Sequence, residues 1–167
     1  RAIDWRGETS AAILAKLNAA DGFPGVADEL LGQRCHLFDA WSETVLKGEP
    51  GSLLGRRETA ICRATVDGAV WIGHVKPAGG IKLPATLALP AAAELSELLL
   101  DGGYWKSSTP TWQDIAYEEA EWAGNSVGFL SFEFYNGAMS TGQCRRLTEA
   151  FQWATTRPTK VIVLRGG

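Results

Sequence analysis

The first regular pattern of apolar positions lies near the N-terminus and has the period of an α-helix. Its members fall at offsets of one, four and seven residues and form one stripe: Ile13, Leu14, Leu17 and Ala20. Thr9 or Ser10 suits the helix start, because a side-chain oxygen there accepts a hydrogen bond from the first turn. Asp21-Gly22 ends the pattern. The spacing therefore predicts one short amphipathic helix.

After Gly32 the apolar positions change to the spacing of β-strands. This spacing predicts short strands at residues 35–40, 43–46, 81–83 and 86–89. A short helical turn is predicted at residues 28–32, before the first of them. Pro90 opens a further helix that runs to Leu100, because proline fits the first turn of a helix.

A β-hairpin is the clearest motif of the chain. Its strands are residues 59–66 and 69–76, and Asp67-Gly68 suits the two positive-φ positions of a type I′ turn. A two-residue loop pairs Ala64 with Trp71 and gives the hairpin one small, apolar face. The opposite face is mixed, with isoleucines beside arginine, histidine and lysine.

A second architecture begins near Asp114. Residues 115–119 are predicted to form an edge strand and residues 127–134 a second strand. Ser140 and Gln143 have the spacing of a capping box, and a helix follows with one apolar face: Cys144, Leu147, Phe151 and Ala154. Residues 161–164 are continuously apolar, which is typical of a parallel strand covered on both faces. Strand, helix and strand predict a β-α-β crossover.

Both ends of the chain look cut, so we expect the sequence to be a fragment of a longer protein.

Composition narrows the class of protein. The chain has 167 residues and a net charge of −3, which gives no basic surface for nucleic acid. It has neither an apolar run long enough for a membrane helix nor a leader pattern. Cys35, Cys62 and Cys144 are widely spaced and odd in number, which favours reduced cytoplasmic thiols over disulfides or a metal site.

Few side chains are candidates for chemistry. His36 and His74 have no Cys or His at metal-ligand spacing, so a structural or solvated histidine is the better interpretation for both. Cys35 and His36 are adjacent in a predicted strand, and their side chains would point to opposite faces, which argues against a catalytic dyad. Arg145-Arg146 is interpreted as a solvated helix face, with an anion contact as the alternative. The sequence therefore predicts no catalytic residue and no metal ligand in this chain.

Two stretches resemble known families. The opening Ile3-Asp4-Trp5, followed by Asp21-Gly22-Phe23-Pro24-Gly25, resembles the C-terminal domain of formyltetrahydrofolate-dependent formyltransferases. Residues 127–140 and 157–167 resemble the opening of the crotonase (enoyl-CoA hydratase/isomerase) fold. The resemblance implies an α+β protein: a small OB-like β-barrel domain with an N-terminal helix at 1–100, a linker at 101–112, and the first β-α-β elements of a crotonase-like fold at 113–167.

The combination of these two modules is similar to a family of hydrogenase maturation proteins. The resemblance implies a cytoplasmic enzyme that transfers a formyl group from 10-formyltetrahydrofolate to CoA and releases CO from formyl-CoA for a nickel–iron site. Other hydrogenase maturation factors would be its partners. It also implies that both chemical centres lie outside residues 1–167, so that this chain alone is inactive and binds neither CoA nor the folate tightly.

A part of the CoA-facing surface is what the resemblance assigns to this chain. In crotonases the turn between the second strand and the first helix lies against CoA, and it corresponds here to five residues: Tyr135, Asn136, Gly137, Ala138 and Met139. A plain strand-to-helix turn is the alternative at these positions. Two alternatives stay open for the whole chain, namely a non-catalytic docking module in residues 1–100 and an ordinary enoyl-CoA hydratase with an unrelated N-terminal extension.

Overall fold

The computed structural model describes residues 2–103, 105–106 and 109–167. Backbone contacts divide the chain into two compact units. The first consists of Arg1–Leu99 together with Pro110–Trp112, and the second of Leu100–Thr109 and Gln113–Gly167.

Helix α1 (Ser10–Ala20) confirms the first prediction. Thr9 is the N-cap, and its side chain accepts a hydrogen bond from the first turn. Ile13 and Leu17 of the predicted stripe are fully buried. The backbone N–H of Ser10 donates to Asp67 at 2.8 Å, which ties the start of the helix to the hairpin loop.

One antiparallel sheet forms most of the rest of the first unit. Its strands are β1 (Val26–Leu30), β2 (Gln33–Glu43), β3 (Leu53–Arg57), β4 (Ala60–Ala64), β5 (Ala69–Pro77) and β6 (Leu83–Pro84). The order is β1-β2-β5-β4-β3, with β6 also paired to β5. The helical turn predicted at 28–32 is wrong, because Leu31 and Gly32 have positive φ and form the tight β1–β2 turn. The separate strand at 43–46 is also wrong, since β2 ends at Glu43.

The hairpin is confirmed, but its register differs by two residues. Ala64 pairs with Ala69, and Cys62, not Ala64, lies opposite Trp71. Thr65 explains the difference: its backbone N–H donates to the Gly68 carbonyl at 3.0 Å, and its hydroxyl accepts from the Gly68 N–H. These bonds enclose two residues, Val66 and Asp67, so the turn lies one residue earlier than the predicted Asp67-Gly68. A shift of two residues keeps every side chain on its predicted face.

Both faces of the hairpin are buried, including the one predicted to be mixed. Ile61, Val70 and Ile72 pack in one core cluster with Ile13 and Leu17 of α1. The other face forms a smaller cluster around Trp71, covered by Trp41 and Trp112 among others. The sheet therefore has a helix on one side and an aromatic layer on the other.

The predicted small barrel is not closed. Among the described residues, β1 and β3 end the order of the sheet and do not pair with each other. The outer edge of β3 is occupied instead by residues 96–98, because Arg56 donates to the Ser96 carbonyl and accepts from the Leu98 N–H. A strand edge that is already paired is no longer available for closing a barrel.

The pairing of residues 96–98 with β3 also changes the segment before residue 100 from its prediction. The predicted helix from Pro90 is only a 3-10 turn, Pro90–Glu94, because the residues after it pair with β3. The strand predicted at 86–89 is wrong, since a short helix α2 (Ala85–Ala88) lies there. Leu89 and Ala92 are fully buried in the main core.

The second unit is built from β7 (Ile115–Trp122), β8 (Asn125–Phe132), α3 (Thr141–Ala154) and β9 (Val161–Gly166). Strand β8 pairs antiparallel with β7 and parallel with β9, which confirms the predicted crossover. Ser140 and Gln143 form the predicted capping box. The packed face of α3 is shifted from the prediction, because Ala150 is buried against Leu130 whereas Cys144 and Phe151 are exposed.

Burial of β9 on both faces is wrong for this chain. Within the part of the chain that the structure describes, β9 pairs with β8 alone. Val161 and Leu164 are 54% and 56% exposed, and only Ile162 packs on the cluster beneath α3. The continuous apolar run therefore forms an edge strand with one open side.

Candidate functional site

The predicted site residues form a tight turn between β8 and α3. Tyr135–Gly137 is a single 3-10 turn, closed by hydrogen bonds from the Gly137 and Ala138 N–H groups to the carbonyls of Phe134 and Tyr135. Asn136 and Gly137 have φ values of 55° and 67°. Met139 is 45% exposed, and a Cβ added at Gly137 would meet no atom within 4 Å. The five residues are thus together, on an open surface.

This turn offers a ligand its backbone and exposed side chains, but not the start of α3. Ser140 Oγ accepts from the Gln143 N–H at 3.2 Å, and Gln143 Oε1 accepts from the Ser140 N–H at 2.9 Å. The capping box therefore already satisfies two donors that a helix start would otherwise offer to an anion. Because Gly137 lacks a side chain and has open space around it, a bound molecule can approach the turn closely.

The two arginines of α3 have different surroundings. Arg146 donates two hydrogen bonds to the Asp114 carboxylate, at 2.7 and 2.6 Å, in a half-buried bidentate pair. Such a pair holds the guanidinium in one orientation. Arg145 is exposed. The prediction that both arginines lie on a solvated helix face is therefore correct for Arg145 and wrong for Arg146. Arg146 instead links α3 to Asp114, the residue before β7.

A buried ionic cluster in the first unit was not predicted from the sequence. Glu43, at the end of β2, is 1% exposed. Its Oε1 accepts from the N–H groups of Val45 and Leu46, at 2.8 and 3.3 Å. Its Oε2 accepts from the Trp71 indole at 2.8 Å, from the Trp112 N–H at 3.3 Å and from the Thr111 hydroxyl. Burial raises the pKa of this carboxyl, but the hydrogen bonds outweigh it and hold the pKa below its ordinary value.

Arg57 completes the cluster from β3 and is 3% exposed. Its Nε donates to the Leu98 carbonyl at 2.9 Å, and its Nη1 donates to Thr111 Oγ1 at 3.1 Å and to the Trp112 carbonyl. Its guanidinium lies 4.6 Å from the centre of the Trp71 ring. Thr111 thus donates to Glu43 and accepts from Arg57. We define these five side chains as the Glu43 cluster: Glu43, Arg57, Trp71, Thr111 and Trp112.

No signal in the sequence distinguishes the Glu43 cluster. Arg57 follows Arg56, and two adjacent arginines usually indicate a charged surface. Trp112 lies in the stretch interpreted as a linker, yet its ring is 5.3 Å from that of Trp71 and stacks on Trp41 at 6.4 Å. The cluster requires residues that are far apart in sequence, so only the fold reveals it.

The two histidines and the buried cysteines lie in the first unit. His74 Nδ1 is 2.8 Å from Asp39 Oδ2, a contact that the sequence did not predict. Cys35 is buried whereas His36 is partly exposed, consistent with opposite faces of β2. Burial raises the pKa of Cys35 to about 11 and that of Cys62 to about 12, so neither is an activated thiol.

Two further tests concern membranes and metals. In residues 2–103, 105–106 and 109–167, no helix is long and apolar enough to cross a membrane. The same residues contain no group of three or more His, Cys, Asp or Glu side chains placed to hold a metal ion.

Sequence comparisons identify related proteins. Residues 1–90 match the family described as "Formyl transferase, C-terminal domain". The whole chain is 43% identical over 169 residues to the hydrogenase maturation factor HoxX of Bradyrhizobium diazoefficiens, and it spans 28% of that protein.

Comparison with solved structures identifies a further relative, HypX from Aquifex aeolicus. The crystal structure of HypX from Aquifex aeolicus in complex with tetrahydrofolic acid matches with a TM-score of 0.86 and 40% identity, over 99% of this chain and 29% of HypX. A multiply substituted variant of the same HypX matches with a TM-score of 0.85 and 40% identity, over 99% of this chain and 30% of HypX. The chain therefore belongs to the formyl transferase C-terminal domain family, and along its whole length it is homologous to the hydrogenase maturation factor HoxX and to HypX.

Proposed function

We propose that this chain serves hydrogenase maturation as part of a HoxX-type protein. The observation that carries the proposal is the 43% identity to HoxX across the entire chain, through both units and the residues between them. Similarity to the formyl transferase family alone would end near residue 90. The proposal therefore depends on residues 91–167 as much as on the first unit.

The proposed reaction is formyl transfer from 10-formyltetrahydrofolate to CoA, followed by release of CO from formyl-CoA. Two observations support the folate step: the first unit belongs to a formyl transferase family, and HypX was crystallised with tetrahydrofolic acid. Support for the CoA step comes from the resemblance of residues 127–140 and 157–167 to crotonases. In crotonases two backbone N–H groups polarise a thioester carbonyl, which stabilises the developing oxyanion.

Within such a protein this chain has a positioning role. The Glu43 cluster holds residues 111 and 112 on the first unit. The Thr111 hydroxyl and the Trp112 N–H donate to Glu43, and the Trp112 carbonyl accepts from Arg57. The β8–α3 turn, residues 135–139, would lie against CoA and contribute Met139 and the backbone at Gly137. No group of this chain is assigned to bond making or breaking.

The test of the reaction uses the complete natural protein that contains this chain. It is incubated with 10-formyltetrahydrofolate and CoA, and formyl-CoA is measured by mass spectrometry and CO by haemoglobin absorbance. Both products are expected. Hydration of crotonyl-CoA without either product would instead favour an ordinary enoyl-CoA hydratase and would refute the proposal.

A separate test addresses the turn. In the same protein, Met139→Ala is expected to weaken CoA binding about threefold. The substitution removes an exposed apolar side chain whose contribution to the binding free energy is less than about 1.4 kcal/mol. Cys144→Ala is the matched control, because Cys144 is exposed on α3 outside the turn. Equal CoA affinity of both variants and the parent would remove the turn from the CoA surface without affecting the reaction itself.

A further inference from the structure

The turn at residues 135–139, proposed to face CoA, is positioned by what lies at its two ends. Phe134, the residue directly before it, is 6% exposed and belongs to the core cluster beneath α3. The side chains of the turn itself are exposed or partly exposed. A segment that buries little apolar surface opens locally at a low cost in free energy unless its ends are fixed. The start of α3, on the other side of the turn, therefore matters as much as Phe134.

The start of α3 is held weakly by its own sequence. Gly142 lies in the first turn of the helix, and glycine loses more backbone freedom on folding than any other residue. Of the described residues of α3, only Ala150 and Ala154 are buried, and both lie in its second half. The capping box joins Ser140 to Gln143 within the segment itself, so it does not tie the segment to the sheet. A different contact must hold the first half of α3 in place.

Asp114 supplies that contact and reaches both sides of the turn. It lies directly before β7, and its carbonyl accepts a hydrogen bond from the Glu133 N–H at 3.0 Å, next to Phe134. Its carboxylate accepts the two hydrogen bonds from Arg146, at 2.7 and 2.6 Å, in the first half of α3. Both side chains of the pair are 14% exposed. Asp114 thus closes residues 133–146 into a loop whose base is fixed to the sheet.

The geometry of the pair fixes an orientation as well as a distance. A guanidinium and a carboxylate that share two parallel hydrogen bonds lie close to one plane, which a lysine ammonium would not require. Arg146 lies less than one helical turn after Gln143 of the capping box. A fixed guanidinium therefore also fixes the capping box and, through it, the turn. Partial burial of the pair reduces its screening by salt.

We propose that Asp114 and Arg146 are positioning residues that set the CoA affinity of the protein by holding the turn at 135–139, without touching CoA. This role rests on the proposed contact of the turn with CoA. When the pair is broken, the turn and the first half of α3 occupy the binding position less of the time. The apparent affinity for CoA then falls with the fraction of molecules in that position. The proposed folate step does not involve the turn, so tetrahydrofolate binding stays unchanged.

The first measurement is hydrogen exchange with mass spectrometry on the complete natural protein that contains this chain, without ligand. Arg146→Met removes the guanidinium and keeps an apolar stem. Exchange in residues 135–144 is expected to become about tenfold faster, because the charge-assisted bonds no longer oppose local opening. Exchange in residues 150–154 is expected to stay the same. Unchanged exchange in the turn would overturn the proposal, whatever the CoA affinity.

The second measurement is the binding of CoA and of tetrahydrofolate to the same proteins by isothermal titration calorimetry. The loss of CoA affinity cannot exceed the increase in opening, so about fivefold is expected for Arg146→Met and for Asp114→Asn. Tetrahydrofolate affinity is expected to stay at the parent value, which also shows that the variants are folded. The double variant is expected to be no weaker than either single one, since each residue acts through the other. Additive losses would mean that Arg146 contacts CoA directly and would overturn a positioning role.

Two controls remove an arginine from the same unit. Arg145→Met removes the same charge from the neighbouring, exposed position of α3. Arg157→Met, beyond the end of α3, breaks an exposed ion pair with Glu119 of 2.8 Å. Both variants are expected to exchange hydrogen and bind CoA like the parent protein. Equal weakening of CoA binding by Arg145→Met would mean that charge, not position, is responsible, and would overturn the proposal.

The two measurements separate the role of the pair from the reaction. Faster exchange with unchanged CoA affinity would overturn the positioning role, because the turn would then not contact CoA, while formyl-CoA production by the parent protein would still stand. Absence of formyl-CoA from the parent would refute the proposed reaction instead. Hydrogen exchange and CoA binding would still decide whether Asp114 and Arg146 hold the turn for CoA.

Discussion

Glu43→Gln is the sharpest perturbation of the Glu43 cluster. The substitution keeps the shape of the side chain and one oxygen, but it places an NH₂ group where one carboxylate oxygen was. If the amide oxygen stays with the Val45 and Leu46 N–H groups, the NH₂ faces three donors: the Trp71 indole, the Thr111 hydroxyl and the Trp112 N–H. The opposite rotamer loses the first two bonds instead. No orientation satisfies every donor.

The magnitude follows from the number of donors left without an acceptor. The Thr111 hydroxyl can rotate, so the Trp71 indole and the Trp112 N–H are the two that lose their partner. Each buried unsatisfied donor costs about 1–3 kcal/mol, and the removed negative charge also leaves buried Arg57 less well compensated. Relaxation of the 111–112 segment recovers part of this cost. We expect a loss of about 3 kcal/mol in the free energy of unfolding of the first unit.

The assay is urea unfolding followed by hydrogen exchange and mass spectrometry, which reports the first unit separately from the second. With a urea dependence of about 2 kcal/mol per molar, the midpoint of the first unit falls by about 1.5 M. Glu29→Gln is the matched control, because Glu29 is exposed on β1 and such surface changes stay within about 0.5 kcal/mol. Equal midpoints for the two variants would refute the reasoning about buried donors.

Three further predictions follow from burial and close contacts. The folded-state pKa of Glu43 is lowered, so its contribution to the free energy of unfolding is complete above the unfolded pKa of about 4.3. This contribution is lost as the pH falls through the folded pKa, and urea midpoints between pH 3 and 6 measure the loss. Iodoacetamide at pH 8 is expected to label Cys144 and spare Cys62, whose pKa of about 12 leaves about one thiolate in ten thousand. Gly73→Ala is expected to displace the Asp39 carboxylate from His74 and to cost about 1–3 kcal/mol, read from the shift of the histidine ring resonances and from the urea midpoint.

Each of these has its own contradicting result. The pH dependence would have another source if Glu43→Gln showed the same loss at low pH as the parent chain. Labelling of Cys62 as fast as Cys144 in the folded chain would contradict the described burial. Gly22→Ala is the control for Gly73→Ala, because an added Cβ at Gly22 would meet no atom within 4 Å; equal stability of the two glycine variants would contradict the close contact.

Local signals in the sequence predicted most of the helices and strands. Thr9, the capping box at Ser140 and the 3.6-residue spacing of α1 act over a few residues, and each was confirmed. The hairpin was found from its turn residues, but the bonds between Thr65 and Gly68 move the turn one residue earlier and the register by two. Local chemistry thus identifies elements, whereas the bonds of one hydroxyl can decide their pairing.

Long-range contacts account for what the sequence did not predict. Residues 96–98 became an edge partner of β3, which is why both the predicted helix and the predicted barrel were wrong. Glu43 and Arg57 are 14 positions apart and meet through Thr111, and neither spacing nor composition indicates such a contact. The turn at 135–139 was located correctly as a turn, while its contact with CoA stays a prediction.

The return of Pro110–Trp112 to the first unit has a consequence for how the chain can be divided. A shortened protein that stopped at residue 100 would keep two buried ionisable groups at the ends of β2 and β3 and would lose the hydroxyl that bridges them. It would also uncover the indole of Trp71. The shortest part of the chain that keeps the Glu43 cluster intact therefore extends to residue 112. A natural recombination event that replaces the second unit must have its breakpoint after Trp112.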